Sequence, residues 1–287
     1  MIKIGLTGWG DHDLYRLPNS AKNKLQTYSK YFSIVEVDSN FYAIPSAKTF
    51  SKWVSDTPND FGFVVKAFQA MTGHDRGTNP YEDTKSMFER FIEAIKPAMD
   101  AGKLKAVLFQ YPPWFDCTSK NVGILRYTKE KMKGIPCALE FRNQTWFSPA
   151  MRDNTLAFMQ REGWIHSIVD EPQVGVGSAP TVLEPTHTDM TIVRLHGRNA
   201  AGWNKSKQAN WREVRYLYKY NQNELKEWAV HLNDLLKKSK EVCVVFNNNS
   251  GGDALPNAIE LMKILGIETK ITAPVEVEQL NLFDLME

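Results

Sequence analysis

Residues 106–110 read Ala106-Val107-Leu108-Phe109-Gln110, and residues 137–141 read Cys137-Ala138-Leu139-Glu140-Phe141. Each run is almost continuously apolar until its last positions, the pattern of a strand buried on both faces. Between them, residues 119–133 carry helical spacing and Gly134 supplies a stop. A strand, a helix and a second such strand make one unit of a parallel sheet covered by helices. The unit recurs outward in both directions. Further apolar runs lie at 2–7, 34–39, 62–67, 164–170, 191–196 and 242–247. Helical patterns lie at 19–32, 46–55, 83–101, 148–162, 224–239 and 253–265. Ser46 and Asp83 are good N-cap residues, and Gly102, Gly163 and Gly266 follow helix ends. Eight strands with interleaved helices predict an α/β fold, a single (β/α)8 TIM barrel over residues 1–266. Residues 171–188 hold Pro172, Pro180, Pro185, Gly175 and Gly177, so an irregular segment is expected in place of the helix after strand six. Residues 197–222 form a long loop after strand seven, and residues 267–287 an acidic C-terminal tail.

The chain has 287 residues, 43% of them hydrophobic, enough for the sizeable core of one such barrel. No apolar run approaches the ~18 residues of a membrane span, and no secretory leader precedes the first strand. Cys117, Cys137 and Cys243 are widely spaced and odd in number. They read as reduced residues of a cytoplasmic protein, with no disulfide framework or zinc site. The net charge of +2 is uneven. Residues 276–287 hold four acids and no Lys or Arg, whereas residues 194–219 hold seven Lys or Arg against Glu213.

Active sites of such barrels are built at the C-terminal strand ends. Strand two ends in Glu36, Asp38 and Asn40, followed by Phe41 and Tyr42; strand three ends in Lys66 and strand four in Gln110 with Tyr111. Strand five gives Glu140 and Arg142, strand six Asp170, strand seven Arg194 and His196 with Arg198, and strand eight Asn247 to Asn249. Apolar strands have no stability reason to turn polar at seven successive ends, so a ligand site is expected there. Period-two alternation puts Glu140 with Arg142, and Arg194 with His196, on common faces.

These segments carry a resemblance. Residues 35–42 (Val-Glu-Val-Asp-Ser-Asn-Phe-Tyr), 63–66, 108–113, 139–142 with Trp146, 169–172, 194–198 and 246–249 occur in the order seen in the YecE-like family, domain of unknown function 72. The resemblance covers residues 2 to about 266. It implies a TIM barrel related in shape to the xylose-isomerase and endonuclease IV barrels, and it supplies no activity. Many members look to have His where this chain has Asn249, which tells against a second imidazole at the mouth.

A three-zinc phosphodiesterase centre needs many His, Asp and Glu ligands, yet of the six His only His196 ends a strand. No cofactor is expected. A single Mg2+ or Mn2+ on Glu140, Asp170 and His196 stays open, against the alternative that Arg142 and Arg194 neutralise the carboxylates. For acid–base work the candidates are Glu140, His196, Asp38 and Asp170. Lys66, Gln110, Arg142, Arg194, Arg198, Asn247 and Asn249 would hold a phosphate or sugar ligand, with Trp9, Tyr42 and Tyr111 as aromatic walls. In the long loop Arg198, Lys205, Lys207, Arg212, Arg215 and Lys219 alternate with Trp203, Trp211, Tyr216, Tyr218 and Tyr220, the composition of a single-strand nucleic-acid surface or of a loop packed on its barrel. The expected function is a phosphate- or nucleic-acid-directed enzyme or binding protein. The alternatives are a metal-assisted sugar or sugar-phosphate enzyme and a non-catalytic adaptor.

The tail carries a second resemblance. Gln279-Leu280-Asn281-Leu282-Phe283 is similar to the Gln-Leu-Ser/Asp-Leu-Phe peptide by which bacterial repair proteins dock on the DNA sliding clamp. Gln279, Leu280, Leu282 and Phe283 match, and Asn281 departs. The resemblance implies the clamp as a partner and single-stranded or damaged DNA as the setting. A pulldown with purified clamp is expected to recover the wild-type chain and to lose the Gln279→Ala/Phe283→Ala variant; equal recovery of both would end the idea.

Overall fold

The computed structural model describes residues 1–15, 22–74, 80–203 and 214–268. Gln279, Leu280, Leu282 and Phe283 lie outside the described residues, as do Lys205, Lys207, Trp211 and Arg212. Eight parallel strands close into one barrel in sequence order. They are β1 (Ile2–Thr7), β2 (Ile34–Val37), β3 (Gly62–Lys66), β4 (Leu104–Tyr111), β5 (Cys137–Phe141), β6 (Ile165–Asp170), β7 (Met190–Leu195) and β8 (Glu241–Phe246). Outside them pack α1 (Lys24–Tyr28), α2 (Ala47–Ser55), α3 (Thr84–Asp100), α4 (Ser119–Lys131), α5 (Arg152–Arg161), the short α6 (Ala200–Trp203), α7 (Gln222–Leu236) and α8 (Ala254–Ile264). The expected α/β barrel is present, and the segment after β6 contains no helix.

Local chemistry sets the helix ends. The Ser46 hydroxyl accepts from the Thr49 N–H, and Asp83 closes a capping box with Ser86 ahead of α3. Gly102, Gly134, Gly163 and Gly266 take the left-handed conformation that ends each helix. α1 is five residues long, far shorter than the helix expected over 19–32.

Two apolar layers hold the barrel. The outward strand faces join the helices in the main core. The inward faces make a second cluster of Ile34, Val64, Ala106, Leu108, Ala138, Ile165, Ile192, Cys243 and Val245. This inner layer plugs the barrel, so a site has room only above it, at the C-terminal mouth. β1 contributes no bulk to the plug: a Cβ on Gly5 would lie 2.2 Å from the Ile34 carbonyl oxygen. Gly5→Ala is therefore expected to cost about 1–3 kcal/mol through overpacking. Thermal unfolding should show a midpoint several degrees lower; an unchanged midpoint would mean that the β1–β2 seam can spread.

Candidate functional site

One step of two residues along each strand turns the apolar plug into a polar layer. Ile34 is followed on the inner face by Glu36, Val64 by Lys66, Leu108 by Gln110, Ala138 by Glu140, Ile165 by Ser167, Ile192 by Arg194 and Val245 by Asn247. A further step brings Asp38, Arg142 and His196 to the next level.

Arg194 occupies the centre, 1% exposed. Its Nε and Nη2 donate to the two Glu36 oxygens at 2.8 and 2.6 Å, and its Nη1 donates to Glu140 Oε2 at 2.7 Å. Glu140 also accepts from the Gln110 amide and, at 3.1 Å, from the Ser167 hydroxyl. Burial pushes the Glu140 carboxyl up, but Arg194, His196 and Arg142 outweigh it and hold the group well below the usual carboxylate range. Burial raises Glu36 despite Arg194. The His196 ring lies 3.4 Å from Glu140 Oε1, yet burial and then Arg194 depress it to about 3, so it is neutral. The Asn247 amide faces His196 Nδ1 at 2.9 Å, which leaves the ring proton on Nε2, toward Glu140.

Above this closed network lie looser ion pairs. Lys66 Nζ sits 2.9 Å from Asp38, at side-chain exposures of 12% and 35%. Arg142 Nε lies 3.3 Å from Glu171, which also accepts from the Ala179 N–H at 2.6 Å. Burial lifts the Glu171 carboxyl to about 7 against the pull of Arg142. The stem of the loop after β7 closes one side. Asn199 donates to the carbonyls of Val214 and Leu217 at 2.9 and 3.0 Å, tying the two ends of that stem together. Gly202 is required there, because a Cβ would meet the Val214 oxygen at 2.3 Å. The stem sets Trp203 and Tyr216 against His196, with ring centroids 6.4 and 5.9 Å from the imidazole. The Arg142 and Arg215 guanidinium carbons lie 4.7 and 3.9 Å from the Trp203 ring centroid. Burial raises the Tyr216 phenol, but Arg142, Arg215, Lys66 and Arg194 together outweigh it and depress the group.

Several expected site residues take other places. Asp170 faces outward, where it accepts from Trp228 Nε1 of α7 at 2.9 Å and from Arg198 Nε at 2.9 Å. It joins the barrel wall to a helix and does not reach the mouth. Arg198 is held there by Asp170 and Glu224, so it does not face a ligand in the mouth. Tyr111 is 1% exposed, stacks on Phe115 at 4.1 Å and meets Thr128 of α4 through its hydroxyl at 3.1 Å, so it is packing. Trp9 packs edge-on against Trp53 of α2 at 5.2 Å, and Tyr42 stands exposed against Phe41. Glu140, Asp170 and His196 share no site, and among the described residues no three His, Cys, Asp or Glu side chains are grouped as metal ligands. Arg194 and Glu140 reach the mouth but saturate one another, which corrects the roles expected of them as phosphate clamp and general base. His196, neutral and fully buried, is corrected likewise as the paired acid.

Three residues enter that the strand ends do not name, and a fourth, Glu36, is named there without a role. Ser167 looked like strand interior, and Glu171 falls just past the end of β6. His12, 7% exposed, comes from the β1–α1 loop; its Nε2 lies 3.2 Å from the Gly8 oxygen and its ring meets the Asn249 side chain. An imidazole thus stands beside Asn249, supplied from another strand's loop.

The family model described as "Protein of unknown function DUF72" matches residues 3–280. The chain belongs to the DUF72 family. Among its relatives is UPF0759 protein YunF of Bacillus subtilis, 54% identical over 285 residues, covering 99% of this chain and all of YunF. UPF0759 protein YecE of Escherichia coli is 29% identical over 157 residues, 54% of each chain. Crystal structures of DUF72 proteins from Enterococcus faecalis (TM-score 0.89, 34% identity, 97% of this chain and 100% of that one) and Thermotoga maritima (0.78, 30%, 93% and 99%) share the fold. No helix among the described residues of this DUF72 protein is long and apolar enough to cross a membrane.

Arg194 joins the two buried carboxylates of this DUF72 barrel. Arg194→Met strands Glu36 and Glu140 as buried charges and is expected to cost about 3–5 kcal/mol at neutral pH. The deficit should shrink as pH falls and the orphaned carboxylates protonate, read as the difference in denaturation midpoint between variant and wild type across pH. A deficit independent of pH would show that lost packing is responsible.

Proposed function

We propose that the barrel mouth holds the phosphate of a nucleotide-like or nucleic-acid ligand, on Lys66, Arg142 and Arg215 around Tyr216. The observation that carries this reading is the Tyr216 phenol. It lies half-buried, where burial alone would raise it, yet the surrounding cations prevail. Cations that ease loss of the phenol proton also attract a phosphate oxygen, for the same electrostatic reason. Formal charge at the mouth balances, with Lys66, Arg142, Arg194 and Arg215 against Glu36, Asp38, Glu140 and Glu171. Glu171, at about 7, is half protonated near neutral pH, which leaves the balance positive. Planar guanidinium groups match the bidentate geometry of phosphate.

In this reading the proton-carrying groups are Tyr216 and Glu171, whose affinities for a proton are shifted toward neutrality, and not Glu140, which is locked to Arg194. The sliding-clamp docking of residues 279–283 is proposed alongside and rests on the sequence match; it would bring such a mouth to DNA.

Sulfate, whose charge is constant across the neutral range, is the probe. Its affinity is expected to fall as pH rises through about 7, because ionised Glu171 reclaims Arg142. Glu171→Gln should flatten that dependence, and Lys66→Met should weaken sulfate about tenfold, on the scale of one charge-assisted hydrogen bond. Titration calorimetry that finds no sulfate binding in the wild-type chain at any pH would overturn the reading.

A further inference from the structure

A line of rings leads away from the phosphate-seeking mouth and ends in an open groove. Lys66 Nζ lies 4.9 Å from the centroid of the Phe41 ring. Phe41 meets His74 edge-on at 5.0 Å, and His74 meets Trp114 at 5.8 Å. Tyr42 joins the track at Phe41, 5.2 Å away. Phe41 and His74 are buried, but Trp114 is 63% exposed and Tyr42 55%. Beyond Trp114 lies a cavity of about 560 Å³ between the loops after β3 and β4 and the first turns of α4. Gly73, Tyr111, Phe115 and Ile124 give it apolar walls, and Lys120 and Asp116 add one charge of each sign to its lining. The volume is that of a small-molecule site.

Two facts make these rings more than packing. A core-filling tryptophan would be buried, as Trp146, Trp164 and Trp228 are in this chain, whereas Trp114 presents most of its indole to solvent beside a cavity. The track also starts at a cation of the mouth, so one ligand can touch Lys66 with a charged group and Trp114 with a ring.

We infer that the groove beside Trp114 is the base-stacking subsite of a short single-stranded oligonucleotide, one of whose phosphates lies at Lys66 and Arg142. This rests on the phosphate reading of the mouth and names the ligand that uses it. Lys66 at one end of the track and exposed Trp114 at the other offer a cation for a phosphate and a ring for a base, and stacking on a ring tolerates any base. Lys120 in the groove lining would meet the next phosphate. A neutral sugar would use the rings but gain no charge pairing from Lys66 or Lys120.

The experiment compares a labelled oligothymidylate with an abasic phosphodiester of the same length, in full-length protein, by fluorescence anisotropy. The wild type is expected to bind the oligothymidylate roughly tenfold tighter. Trp114→Ala should erase that preference while leaving abasic-strand and sulfate affinity unchanged; Trp114→Phe should restore most of it. Exposure of Trp114 means that the variant keeps its fold, which an unchanged unfolding midpoint would verify. Equal wild-type affinity for the two strands overturns the subsite and leaves the phosphate reading standing. Loss of sulfate and both strands alike overturns both. Tight binding of a neutral oligosaccharide that Trp114→Ala abolishes assigns the groove to a sugar and overturns the inference.

Discussion

The constraint on which this barrel turns is the burial of Arg194 between Glu36 and Glu140. Three ionised groups taken from water each forfeit several kcal/mol of solvation. They are tolerated only because the geometry closes: a guanidinium forks onto one carboxylate and reaches the second with its remaining face. Much else at the mouth serves that closure. Gln110 and Ser167 fill the remaining lone pairs of Glu140, and His196 stays neutral so that no further charge enters.

The closure has a consequence for chemistry. The most conspicuous charges in the sequence are the least available in the fold, because each already holds its opposite. Pairing is looser one level up. Lys66 and Asp38 are partly exposed, Glu171 sits near neutrality, and Tyr216 feels more cations than its burial can offset. This upper level is assembled from distant parts of the chain: a β2–β3 pair, the start of the irregular segment after β6, and the stem of the loop after β7. Such a level keeps cations and carboxylates in looser pairs, whereas the level beneath it is a closed strut.

Much of the fold was legible because barrel strands carry a strong signal. They are apolar on both faces, short, and separated by helices with recognisable caps, so residues 106–141 already imply the rest. The polar layer was legible for the same reason, since Glu36, Lys66, Gln110, Glu140, Arg194 and Asn247 stand two residues beyond an inward apolar side chain. Asp170 and Tyr111 are misplaced by one cause, whereas Arg198 lies in the loop past β7 and is turned away by its ion pairs with Asp170 and Glu224. A strand that is apolar on both sides gives no hint of which face is inward, and an error of one residue reverses it. In β6 the inward residues are Ile165 and Ser167, so Asp170 turns toward α7.

The sequence by itself determined the barrel, the position of its mouth and the residue types gathered there, because alternation and capping act over a few residues and need no partner. Only the tertiary structure decided which charges cancel. Arg194 meets Glu36 across a separation of 158 residues, and His12 meets Asn249 across the β1–β8 seam. Whether a carboxylate is a base or a strut depends on its burial and on the charge facing it, and both are properties of the closed barrel that no single strand contains.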